Sequence, residues 1–192
     1  TRSSPSSLPY IWWRGSWKDD HLVFMPRVQR FFLEIKKKEF LIKPPLFPEK
    51  AKIFSEKDIN INKFFYKQIG KDHLWRDRLL WSDKEWNKYI NNINLETGVM
   101  KLDQDLIGFY EQEHHVAKNE IELIQMGILK EYQGKKFGSF LLNYIIYKAF
   151  IKNIKIKRLW VHTCSLDHKY ALNNYLSKGF KIFKQETVNL AL

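Results

Sequence analysis

The chain has 192 residues, 44% hydrophobic and 16% aromatic, enough apolar material for one packed domain, which excludes global disorder. It carries a net charge of +12, from 33 basic against 21 acidic residues, and its single cysteine excludes a disulfide framework and a cysteine-rich zinc module. No apolar run approaches the ~20 residues that cross a bilayer, and no uninterrupted apolar segment near residue 1 reads as a secretory signal. A cytoplasmic protein with no membrane partner is the expectation. Only seven of the 33 basic residues are arginine, the side chain that dominates base and phosphate recognition, so nucleic acid is not expected as the main partner. An anionic ligand suits the charge better.

Residues 1–28 form an extension unlike the rest. Thr1 to Pro9 is rich in serine and proline and reads as a partly disordered end, followed by an aromatic cluster of Tyr10, Trp12, Trp13 and Trp17. Pro44, Pro45 and Pro48 prevent a helix and mark a linker after Lys36-Lys37-Lys38. Lys52-Ile53-Phe54 is a short strand. Ser55 and Asp58 are good caps for a helix running to about Ile69, which Gly70 stops. Ser82 and Glu85 have capping-box spacing, which predicts a helix to about Asn92. Three strands follow, over 97–102, 106–113 and 120–129, the first two joined by a tight turn at Asp103-Gln104-Asp105. Phe140, Leu141, Tyr144, Ile145 and Lys148 recur near period 3.6, predicting a helix from Phe137 to about Ile151. A strand over 156–162, a helix over 167–177 ended by Gly179, and a final hairpin or strand pair over 180–183 and 186–190 complete the order β-α-α-β-β-β-α-β-α-β-β.

The most informative stretch runs from Gly127 to Ser139: a strand ends, a basic loop with two glycines follows, and a helix begins. The first N–H groups of a helix have no intrahelical acceptor and carry the positive end of its dipole. With Lys135 and Lys136 beside them, a phosphate or pyrophosphate is the natural occupant. A Walker A loop needs Gly-Lys-Ser/Thr at its end, and Gly134-Lys135-Lys136 does not supply it. A dinucleotide fingerprint needs Gly-x-Gly-x-x-Gly, and only two of the glycines exist here.

Gln133-x-x-Lys136-x-Gly138-Ser139 resembles the Arg/Gln-x-x-Gly-x-Gly/Ala loop of the GNAT acyl-CoA-dependent N-acetyltransferases, and Ile128 to Tyr132 resembles the strand end that leads into it. A second block resembles the family's later half: Trp160 to His168, then Ala171-Leu172, Tyr175 and Lys178-Gly179-Phe180. The resemblance covers about residues 50–190, with an earlier start near Phe32-Leu33-Glu34-Ile35 left open, and makes 29–192 a GNAT domain. It departs from the pattern at one place: the family's first loop glycine is Lys136 here. A lysine cannot use glycine-only backbone angles cheaply, so an ordinary helical conformation is expected there.

The resemblance implies an α/β (α+β) fold whose mixed, mostly antiparallel sheet is splayed between its fourth and fifth strands and flanked by helices. It implies an N-acetyltransferase that moves an acetyl group from acetyl-CoA, its co-substrate, to a primary amine by direct attack. The acceptor would be a small molecule or peptide, and a homodimer stays open. The main chain of Met126, Gly127 and Ile128 would hold the pantetheine arm, and Gln133, Gly134, Lys135, Lys136, Phe137, Gly138 and Ser139 the pyrophosphate. Glu122 matches a general base, with Glu120 in reserve, and Tyr175 matches the acid that protonates the leaving thiolate. The alternative is a non-catalytic acyl-CoA-binding module or sensor, for which Lys136 is the best support.

Other residues carry two readings each. His162 and Cys164 share a strand face and with Asp167 could make a metal site, but they read more simply as a strand end with Asp167 as helix cap, and no metal is expected because neither the reaction class nor the spacing demands one. His162 is also a candidate second base or substrate contact. His114-His115 is most simply a solvated loop. Trp75, Arg76, Arg78 and Trp81 either wall the acceptor cleft, with an arginine reading a substrate carboxylate, or form a charged connector with two buried indoles.

Overall fold

The computed structural model describes residues 27–39, 43–152 and 155–189. The expected N-terminal extension lies outside the described residues up to position 26. Seven strands form one sheet: β1 (Arg27–Lys36), β2 (Ala51–Glu56), β3 (Leu95–Leu102), β4 (Asp105–His115), β5 (Glu120–Ile128), β6 (Arg158–Cys164) and β7 (Lys181–Asn189). Four helices accompany them: α1 (Ile59–Gly70), α2 (Asp83–Ile90), α3 (Phe137–Lys152) and α4 (Ala171–Ser177). Asp58 caps α1 by accepting from the Asn60 N–H, and Ser82 and Glu85 form the expected capping box on α2.

The sheet order is β2-β3-β4-β5-β6-β1-β7. Every neighbouring pair is antiparallel except β5 with β6, the fourth and fifth positions across the sheet. On one face α1 packs Phe65 and Ile69 against Val99, Phe109 and Leu129. On the other lies α3, apolar nearly all round as a helix enclosed on most sides should be. Its Leu141, Leu142, Ile145 and Ile146 are fully buried with Leu33, Leu123, Leu159 and Phe180.

Two expectations about strands are corrected. The strand beside β6 is β1, which was missing from the expected order. Its polar positions alternate with buried Val28, Leu33 and Ile35, and the following lysine run blurs that rhythm. The C-terminal hairpin is instead a single strand, β7. Its register on β1 shifts between Phe32 and Leu33, where the partners jump from Lys184 to Ile182. The bulge at Phe183 lets one strand cross the break that read as a turn.

Candidate active site

β5 and β6 pair only from Glu120 opposite Arg158 to Leu123 opposite Val161. At that point β5 bulges: Glu111 of β4 faces Gln125 but Gln112 faces Leu123, leaving Ile124 unopposed. A bulge bends its strand and raises the local twist. Beyond it the two parallel strands part, and a cleft of about 790 Å³ opens between them. The Leu129 N–H donates to the Ile107 carbonyl at 2.9 Å. By strand alternation, Gly127 then directs its main-chain groups to β4, while Met126 and Ile128 direct theirs into the cleft. Gly127 serves a steric end there: a Cβ would fall 2.7 Å from Ile69 Cγ2 of α1.

The cleft continues into the loop before α3. Gly134 and Lys136 both have left-handed backbones, with φ of 75° and 66°. The expected helical conformation at Lys136 is therefore corrected. Lys136 stands at the helix entrance, its carbonyl accepting from the Phe140 N–H at 3.0 Å. For a non-glycine residue such angles cost roughly 1–2 kcal/mol. Alternating left- and right-handed residues curl successive N–H groups toward one point, an anion-binding nest. Gly134, Lys136, Phe137, Gly138 and Ser139 line the cleft. Beside Gly138 the nearest atom to a built Cβ is Ile128 Cγ1 at 3.7 Å, and beside Gly134 nothing lies within 4 Å. Lys135 does not line the cleft and places its ammonium over the Tyr132 ring, 5.4 Å from the centroid. Gln133 Nε2 donates to the Ile128 carbonyl at 3.0 Å, using one of the cleft-facing strand groups.

Glu122 stands where the strands begin to part, opposite Trp160. Its Oε2 is 2.9 Å from His115 Nε2, and its side chain is 18% exposed. Burial raises its pKa above the ordinary carboxylate value, against the lowering effect of His115. His115 was expected in a solvated loop. Both His114 and His115 instead belong to β4, and His115 stacks on Trp160 with ring centroids 6.2 Å apart. The β4–β5 register sets His115 opposite Glu120, two residues from Glu122 and on the same face of the strand, a neighbour that strand alternation predicts once the hairpin length is known. Glu120 is 3.5 Å from Arg158 Nη1 and lies outside the cleft lining.

Tyr175, on α4, lines the cleft and packs its ring edge-on to Phe180 with centroids 5.6 Å apart. Burial, with a smaller contribution from Asp167, holds its phenol protonated far above ordinary values. Asp167 does not cap α4, which begins later, at Ala171. It accepts from the Thr163 hydroxyl at 2.6 Å and the Cys164 N–H at 2.9 Å, closing the turn after β6. Burial, then Arg30, lowers the pKa of His162, and burial raises that of the Cys164 thiol. Among the described residues no three histidine, cysteine or acidic side chains are grouped to hold a metal.

Arg78 is committed to the fold. Its Nη1 donates to the fully buried Glu111 at 2.7 Å, and Glu111 also accepts from Asn62 and the Tyr89 hydroxyl. The guanidinium lies 4.2 Å from the Tyr89 ring centroid and 5.1 Å from that of Trp81. Arg76 is exposed and does not line the cleft. Neither arginine offers the free fork that a substrate carboxylate would need. Trp75 does line the cleft; Trp81 packs on Trp86 and Tyr89.

A splayed parallel strand pair leading into a nest at a helix entrance is the arrangement that the family resemblance implied. The model of the acetyltransferase (GNAT) family matches residues 62–180, and the chain belongs to that family. Solved structures agree at the level of fold. A GCN5-related N-acetyltransferase from Sphaerobacter thermophilus superposes with a TM-score of 0.62 at 10% identity, over 87% of this chain and 54% of that one. One from Kribbella flavida gives 0.57 at 12% identity, over 82% and 55%. An aminoglycoside acetyltransferase, meta-AAC0020, from an uncultured soil metagenomic sample gives 0.56 at 15% identity, over 68% and 88%. The chain thus spans about half the length of the Sphaerobacter and Kribbella proteins. No curated protein matches it. Among the described residues no helix is long and apolar enough to cross a membrane.

Proposed function

We propose that the protein is an N-acetyltransferase that transfers an acetyl group from acetyl-CoA to a primary amine by direct attack. The observation that carries this reading is continuous: the bulge at Ile124 frees the cleft-facing main chain of Met126 and Ile128, and that edge runs into the nest at Gly134–Ser139. An extended amide-bearing arm ending in a diphosphate suits this sequence of donors and acceptors. Steric room at Gly134 and Gly138 and the positive field of Lys136 fit the diphosphate. The Gln133–Ile128 bond occupies a cleft-facing carbonyl that the arm would use and must yield to it.

Acetyl-CoA supplies the activated acyl group. The chain supplies the proton handling. A protonated amine cannot attack, and Glu122 accepts its proton at the closed end of the cleft, with the raised pKa bringing the carboxylate closer to working pH. His115 orients that carboxylate and stands next in line for the proton. Cleft-facing N–H groups of β5 stabilise charge that develops on the carbonyl oxygen. Tyr175, held protonated by burial, donates to the departing thiolate.

The test is an amine panel with acetyl-CoA, read as free thiol. Amine-dependent release that falls by about 10²-fold or more in Glu122→Gln supports the transferase. Tight CoA binding with no turnover across the panel, unchanged by that substitution, supports the non-catalytic module instead.

A further inference from the structure

We infer that the acceptor is a polycationic amine, with a second ammonium or similar N–H-rich group held at Asp77 while the reacting amine lies at Glu122. This rests on the transferase reading and narrows its substrate class. The charge pairing along the acceptor half of the cleft is one-sided. Its two arginines are answered from within the protein: Arg78 by Glu111 at 2.7 Å and Arg30 by Glu186 at 3.1 Å. Among the described residues its carboxylates make no ion pair with a lysine or arginine: Asp77 accepts from the Tyr66 hydroxyl at 2.8 Å, Asp167 from the Thr163 hydroxyl and the Cys164 N–H, and Glu122 contacts the His115 ring, which is a cation only when protonated. Arg78 lies within reach of the Asp77 field, but its hydrogen bond goes to Glu111.

Neutral groups point the same way. Gln125 lines the cleft with a buried Oε1 that has no donor, and a buried carbonyl oxygen calls for an N–H or O–H partner. His162 is held toward its neutral form by burial and by Arg30, against the opposing pull of Asp167 and then Asp77. The β1 wall carries Arg30, paired with Glu186, and the wall after α1 carries the exposed Asp77 beside Arg78, whose guanidinium is turned to Glu111. A second cation belongs on the Asp77 side, away from Arg30, and a substrate carboxylate finds no unengaged arginine.

Three acceptors of matched length separate the alternatives: butylamine, 1,4-diaminobutane and 4-aminobutyrate, whose far ends are apolar, cationic and anionic. With acetyl-CoA and the full chain, kcat/KM for the diamine is expected to exceed that for butylamine at least tenfold, with 4-aminobutyrate lowest. Asp77→Asn keeps an acceptor for the Tyr66 hydroxyl and is expected to raise KM for the diamine about tenfold with little change in kcat, closing the gap to butylamine. Equal or better use of butylamine or 4-aminobutyrate overturns the inference and leaves the transferase standing. Thiol release from none of the three counts against the transferase. In that event calorimetry decides the site: heat with the diamine that Asp77→Asn weakens upholds the cation subsite, and no difference between diamine and 4-aminobutyrate overturns it.

Discussion

The two ends of the cleft are built from different materials. The end at residues 126–139 is main chain: a strand edge without a neighbour, two left-handed residues and a helix entrance. The end around Glu122 is side chain: a carboxylate, an imidazole stacked on Trp160 and, on the wall after α1, Arg78 held in a buried polar cluster. Backbone groups need only the right local conformation, so the first end tolerates varied residues, even a lysine where a glycine fits better. Side-chain groups depend on distant partners, so the second end is sensitive to single substitutions far from the chemistry.

That contrast orders the expected effects. Arg78→Ala removes the partner of a fully buried carboxylate, which costs about 3–5 kcal/mol, and thermal melting is expected to show a midpoint lower by on the order of 10 °C. A midpoint within a degree or two of the parent would mean that the cluster does not brace the acceptor end.

Glu122→Gln is expected to lower kcat/KM by about 10²-fold or more. The sign on stability is opposite. Because the folded pKa of Glu122 is raised above its unfolded value, the fold favours the neutral form. The associated stability is fully present below the unfolded pKa and is lost as pH rises through the folded one. At neutral pH the carboxylate is thus a cost, and the glutamine variant should melt no lower than the parent. The parent's rate should fall on acidification through that raised pKa. A rate flat from pH 5 to 8 would remove Glu122 as base.

Gly138→Leu separates the two ends. A helix interior prefers leucine to glycine by up to about 1 kcal/mol, and Ile128 leaves space for a Cβ. Stability should hold or rise while CoA affinity drops at least tenfold, as read by calorimetry. The smallest effect is expected from Lys136→Gly. It relieves the left-handed strain but adds freedom to the unfolded chain, for a net gain of up to about 1 kcal/mol in chemical denaturation. Destabilisation beyond that would show that the lysine side chain itself holds the loop.

The same division decides what the sequence could reveal. The loop was legible because Gly134, Gly138 and the helix after them are local signals. So was the capping box at Ser82 and Glu85, and so was the order of elements from β2 to α4. The conformation of Lys136 was not, because left-handed geometry at a lysine runs against its intrinsic preference and is imposed by the turn it completes. β1 is legible only in part, through Phe32 to Ile35, because its partners, β6 and β7, lie more than 120 residues away. His115, Asp77 and Gln125 join the site through register and packing, from β4, the connector after α1 and β5. The bulge at Ile124, on which the cleft depends, leaves no signature in residue type.

The most direct measurement is a calorimetric titration of the full chain with CoA, repeated on Gly138→Leu. Saturable binding of one CoA per chain in the micromolar range, weakened at least tenfold by the substitution while the melting temperature holds, is the expected result. No heat with the parent chain, or equal affinity in the two proteins, would contradict the claim that main chain between Met126 and Ser139 grips the coenzyme.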